Sequence, residues 1–234
     1  MYNESYAIAE PSAKEIHYGL RKYMMGVYNK MTLALIVTGC VAYFGSPFLK
    51  PLMSTPIWWL FVFAPLGFVL AFTYFMNRLS VSAAQVLFYT FSALMGISMS
   101  SLFAVYTDVS IARAFFISAA TFAAASLYGY TTGKDLTNMG SFLIMGIFGL
   151  IIASIVNIFL ASSMLAWIIS VVSVIAFTLL TAYDTQKLKD EYMSNGEVFG
   201  FDSPEKSSIF GALTLYLDAI NIFISLVQLT GEKE

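Results

Sequence analysis

The sequence predicts an all-α, polytopic membrane protein. Three observations carry that prediction. Of the 234 residues, 59% are hydrophobic and only 11% are charged, where a soluble domain carries about 25%, and the mean hydropathy is +0.76. Seven segments are long and apolar enough to cross a bilayer, which takes about 20 residues each. The breaks between them are short, and no stretch reads as a soluble domain.

The spans run over 31–49, 57–77, 83–105, 111–131, 140–160, 164–186 and 208–229. The chain before Lys30 is polar and lacks the short charged start and apolar stretch of a cleaved leader, so the first span itself directs insertion. Ser46-Pro47 and the run from Pro51 to Pro56 end that span. Pro65 sits inside the second, where it kinks the helix or leaves a carbonyl free. Asn77-Arg78, Thr107-Asp108 and Gly133-Lys134-Asp135 mark the next three breaks. The one sizeable loop is 187–207. The domain reading is a polar, cytoplasmic segment at 1–22, a seven-helix membrane domain at 23–231 and a tail at 232–234.

Lys and Arg set the orientation. With seven spans and a cytoplasmic N-terminus, nine of the twelve basic residues fall inside, and Lys50, Arg113 and Lys233 fall outside. The side of the C-terminus depends on whether the last segment spans fully; a re-entrant one returns Glu232-Lys233-Glu234 to the inside. Net charge is −2, with no basic stripe, which gives nucleic-acid binding no electrostatic support. Cys40 is the only cysteine, so no intrachain disulfide forms, and it reads as a small buried residue of the first span. Gly67, Gly96, Gly129, Gly140, Gly146, Gly149 and Gly211, with the Ala-rich stretch 119–126, allow close helix packing where lipid removes any hydrophobic drive between helices.

Against this background two carboxylates stand out: Asp184, in TAYDTQ at 181–186, and Asp218, in LYLDAIN at 215–221. A charge in hydrocarbon is costly, so such residues face the protein interior or a water path and find a partner. If the sixth span ends near Lys187, Asp184 lies about 5 Å deep and Asp218 about 15 Å deep. Parallel, straight helices leave about 10 Å between them along the membrane normal, a gap that tilt or an extended sixth helix has to close. Two carboxylates that meet in low dielectric do not both ionise readily, and the pair titrates in coupled steps. Arg78, always charged, has two readings: a residue snorkelling to the headgroups or a partner of Asp184. In the second, gain or loss of the shared proton operates a latch between the second and sixth helices. Ionised, the carboxylates are hard oxygen ligands suited to Ca²⁺; Asn221, three residues after Asp218 and on the same helical face, adds a neutral oxygen. A paired buried acid also serves simply to specify packing.

No hydrolase motif is present: there is no GxSxG, HExxH or P-loop, and the chain has one histidine. Asp184 follows Tyr183, but Asp218 lacks a preceding Gly-x-Gly, which argues against intramembrane proteolysis.

TAYDTQKLK at 181–189, GALTLYLDAINIF at 211–223 and SLYGYTTGKDL at 126–136 resemble the Bax inhibitor-1 family, most closely its bacterial inner-membrane branch, and the resemblance covers about Tyr23 to Gly231. It implies six helices around a central seventh that carries Asp218. It also implies a pH-sensitive calcium leak channel with a paired-aspartate sensor and an arginine latch from the second helix. Asp184 and Asp218 match the aspartates by motif; Arg78, between Asn77 and Leu79, matches the arginine by position. The implied setting is the bacterial inner membrane, with the lipid bilayer, calcium and protons as partners and no enzymatic activity or cofactor beyond calcium as the transported ion. The rival reading is a regulatory protein that binds a membrane-bound protease, which leans on the polar termini. A third, an intramembrane hydrolase, predicts cleavage that either aspartate change abolishes.

Overall fold

In the computed structural model, which describes residues 13–195 and 203–233, seven helices are long and apolar enough to cross a membrane. They are α1 (Ala13–Leu49), α2 (Trp58–Phe75), α3 (Val81–Met99) with its short continuation α4 (Leu102–Val105), α5 (Asp108–Thr131), α6 (Thr137–Leu160), α7 (Ser163–Asn195) and α8 (Pro204–Thr230). Turns of 3-10 helix at Lys50–Ser54 and Met76–Arg78 close α1 and α2.

Two helices are longer than their apolar runs. α1 begins at Ala13 rather than near residue 31, because Leu20, Tyr23, Met24, Val27 and Met31 form a buried stripe through the polar stretch. A stripe of this kind stabilises a helix by packing on one face, even where most of the other residues are polar. Tyr23 stacks on Tyr192 at 5.0 Å, and its hydroxyl donates to the Ser207 carbonyl at 3.4 Å. α7 likewise continues to Asn195, so the loop expected at 187–207 is helical over its first nine residues. The first twelve residues of the expected N-terminal segment, and Glu234 of the tail, lie outside the described residues.

α8 is the most enclosed span: 61% of its apolar window is buried, against 39% or less in the others. It packs on α1, α3, α5 and α7, while α2 leans chiefly on α3 and α6 on α7. These contacts are compatible with the expected arrangement around a central C-terminal helix, with α2 and α6 in an outer position. The core of α8 includes Tyr216, wholly buried, whose hydroxyl meets Thr38 Oγ1 at 2.7 Å. Thr38 in turn lies 2.9 Å from the Ser92 carbonyl, which joins α1, α3 and α8.

Cys40 is exposed, not buried. The buried stripe of this part of α1 runs through Ala34, Thr38, Ala42 and Ser46, and at about 100° per residue position 40 faces the opposite way. Pro65 behaves as its chemistry dictates. Lacking an N–H, it leaves the Phe61 carbonyl without its helical donor, and Ser98 Oγ of α3 donates to that oxygen.

The start of α1 and the end of α8 lie at opposite ends of the bundle. At one end Lys30 Nζ donates to Ser208 Oγ at 2.9 Å and Lys206 Nζ approaches the Asn77 carbonyl at 3.5 Å. At the other, Tyr106 and Lys233 form an isolated antiparallel bridge, Thr107 N donates to the Glu232 carbonyl at 3.0 Å, and Glu232 N donates to Ser110 Oγ at 3.0 Å. α8 therefore runs the full length of the bundle and is not re-entrant.

Candidate functional site

The site is built where α7 meets α5, the α5–α6 turn and α8. Ala182 packs directly on Gly129, where a side chain would run into the Ala182 backbone, and the Tyr183 ring occupies the space beside Gly140. Thr185 Oγ1 lies 3.0 Å from Ser126 Oγ, which lies 2.7 Å from Tyr28 OH on α1. Gln186 clamps the α5–α6 turn twice: its Oε1 accepts from Leu136 N at 2.7 Å, and its Nε2 donates to the Lys134 carbonyl at 2.7 Å. Lys189 Nζ donates to the Tyr130 carbonyl at 3.1 Å. The stretches 126–136 and 181–189, separate in sequence, thus form one interlocked unit.

The opposite face of α7 meets α8. Leu188 is fully buried, and a methyl group at Gly211 would lie 2.7 Å from its Cδ2. Farther along, Ser170 Oγ lies 3.2 Å from Gln228 Oε1. These contacts define an antiparallel register, and Asp184 and Asp218 fall on it with their carboxyls within hydrogen-bonding reach. Asp218 is 2% exposed; Asp184 is half-buried. The 10 Å depth gap closes because α7 continues eleven residues past Asp184, about 16 Å, instead of ending at Lys187. Asp218 Oδ2 is buried without a hydrogen-bond partner among the described residues. A hydrogen bond between two carboxyls requires a proton on one of them.

The other predicted site residues lie apart from this contact. Arg78 is exposed in the Met76–Arg78 turn. Its neighbour Asn77 accepts from Lys206 at the start of α8, about 18 Å along the helix from Asp218. Among the described residues the side-chain ion pairs are Lys187–Glu191 at 3.8 Å and Lys189–Asp190 at 3.9 Å. The cation whose field bears on Asp184 is Lys187, one turn away; its place in the TAYDTQKLK motif, four residues before Glu191, was the available signal. Asn221 is half-buried, and its amide donates to the Leu217 carbonyl at 2.7 Å. No cluster of three or more His, Cys, Asp or Glu side chains able to hold a metal occurs among the described residues. The turn before α6 is capped by Asp135, whose Oδ1 accepts from Thr137 N at 2.8 Å. The Thr137 hydrogen bonds hold its carboxyl below the usual aspartate range.

Residues 20–234 match the family described as inhibitor of apoptosis-promoting Bax1. The chain is 46% identical over 220 residues to an uncharacterized protein of Rickettsia prowazekii, covering 92% of this chain and 91% of that one. It is 40% identical over 238 residues to the inner membrane protein YbhL of Escherichia coli K12, covering 99% and 98%. An uncharacterized membrane protein of Streptococcus pyogenes serotype M6 is 35% identical over 158 residues, 67% of each chain. With its seven apolar helices and its motif segments joined around Asp184 and Asp218, the chain belongs to the Bax inhibitor-1 family of membrane proteins.

Proposed function

We propose that the protein is a pH-sensitive, passive calcium leak channel, gated by the Asp184–Asp218 pair, in a bacterial inner membrane. The observation that supports this most directly is the meeting of the two carboxyls beside the buried face of α8. A pair that holds one proton binds a cation weakly; a fully ionised pair presents hard oxygens to Ca²⁺. Protonation therefore sets both the charge and the packing at the α7–α8 contact. Two carboxylates fall short of the six to eight ligands of a resident calcium site, which suits an ion in transit. The end of the bundle that carries nine of the twelve basic residues is assigned to the cytoplasm, and the location follows the inner-membrane relative from E. coli. The sequence carries no P-loop, and in this mechanism flux runs downhill.

Arg78 enters as a second state. Its turn lies beside Lys206, so pairing with Asp184 requires α2 to shift on α3. In this mechanism that latched state closes the path, and displacement of Arg78 opens it.

The test is Ca²⁺ entry into proteoliposomes against empty vesicles, for the full chain and for a chain lacking residues 1–12. A truncation to residue 22 is unsuitable, because it removes buried Leu20. Flux retained by the truncated chain supports the channel. Absence of flux at every pH overturns it and favours a regulatory protein whose polar terminus engages a protease.

A further inference from the structure

A groove of about 510 Å³ lies between α1 and α5, near the end of the bundle where α1 begins. We propose that it binds one anionic phospholipid from the leaflet at that end, with the phosphate at Arg21 and an acyl chain along the groove. The walls are apolar: Met24, Met25, Phe122 and Leu127 line them. Tyr28 contributes its ring, because its hydroxyl is engaged with Ser126 at 2.7 Å. The charged group left to a ligand is the Arg21 guanidinium, exposed at the rim and in no ion pair among the described residues; Tyr130 also lines the groove.

The dimensions suit this occupant. Arg21 and Tyr28 are seven residues apart, about 10 Å along α1, which lies within one leaflet of a hydrocarbon core about 30 Å thick. The volume falls in the range of about 300–1,000 Å³ found for ligand sites. The rim is electropositive. Lys22 adjoins Arg21, and Lys189 reaches the Tyr130 carbonyl at the groove's edge; of the carboxylates on this side, Asp190 lies 3.9 Å from Lys189 and Glu205 faces Lys22 and Lys30, which leaves the Arg21 guanidinium to a ligand. Basic pockets between spans recognise acidic headgroups in this way, and the fork of an arginine suits a phosphate better than a choline.

The test is native mass spectrometry of the full-length protein released from detergent, with phosphatidylglycerol and phosphatidylcholine of identical chains added in turn. Wild type is expected to retain phosphatidylglycerol about fivefold to tenfold better, an advantage of the size one interfacial cation supplies. Arg21→Gln removes that preference, and Leu127→Trp, which fills the groove and leaves Arg21 in place, lowers retention of the lipid. Arg113→Gln, at the opposite end, leaves it unchanged. Equal retention of both lipids by wild type overturns the proposal, as does an Arg21→Gln protein that keeps the preference. A dimer whose interface buries the groove overturns it too, since a second copy then fills the space.

Discussion

The carboxyls of Asp184 and Asp218 meet across the α7–α8 interface within hydrogen-bonding reach, in the same antiparallel register that sets Leu188 against Gly211. The register is held from both sides. Gln186 and Lys189 tie α7 to the α5–α6 turn, and Gly129 brings α5 onto Ala182. The acids are therefore not free to drift apart without breaking several other contacts.

The contact between Gly129 and Ala182 is backbone on backbone, so no flexible side chain can yield. Gly129→Ala forces α5 away from α7 and is expected to cost about 1–3 kcal/mol, as overpacking does. Thermal unfolding in detergent checks this. Gly67→Ala is the control, because a methyl group there meets nothing within 4 Å.

Ser98 satisfies the Phe61 carbonyl that Pro65 leaves free. Ser98→Ala is expected to destabilise the protein by about 1–3 kcal/mol. In a Pro65→Ala background the restored N–H serves Phe61, and the same Ser98 change costs much less. A double-mutant cycle on unfolding free energy measures the coupling; additive costs would refute this account of Pro65.

Tyr216 and Thr38 form an unequal pair. Tyr216→Phe leaves Thr38 its contact with the Ser92 carbonyl and costs about 1 kcal/mol. Thr38→Val leaves the wholly buried Tyr216 hydroxyl with Ser92 alone and also removes the contact with the Ser92 carbonyl, so it costs more, about 1–3 kcal/mol. Comparing the two melting temperatures tests the order.

Asp135 gives a pH prediction outside the spans. Its folded-state carboxyl titrates below the ordinary value of 3.8, so its contribution is present above that value and is lost as pH falls through the lower, folded one. Asp135→Asn should lower the Tm slightly at neutral pH, with the difference from wild type vanishing in strong acid.

Much of this was legible in the sequence. Hydropathy places the spans, because lipid demands long apolar runs, and the scarcity of intramembrane charge singles out Asp184 and Asp218. What it hid has physical causes. The start of α1 and the end of α7 are amphipathic, buried along one stripe, so a search for continuous apolar runs misses them. That error created the apparent 10 Å depth gap between the acids. The outward face of Cys40 depends on helix phase rather than composition. The full crossing of α8 rests on a hydrogen-bonded tie between Tyr106–Ser110 and the chain end, and the position of Arg78 on the turn beside Lys206. No local pattern reports such distant pairings.

The most direct test of the gate is Ca²⁺ entry into proteoliposomes from about pH 5 to about pH 8, comparing wild type with Asp184→Asn, Asp218→Asn and Arg78→Ala. The account predicts that wild-type flux changes with pH and that either asparagine flattens the change, because a pair with one titratable member has no shared proton to lose. Arg78→Ala should raise flux. A wild-type pH dependence that persists unaltered in both asparagine variants would contradict the account and return the two acids to a purely packing role.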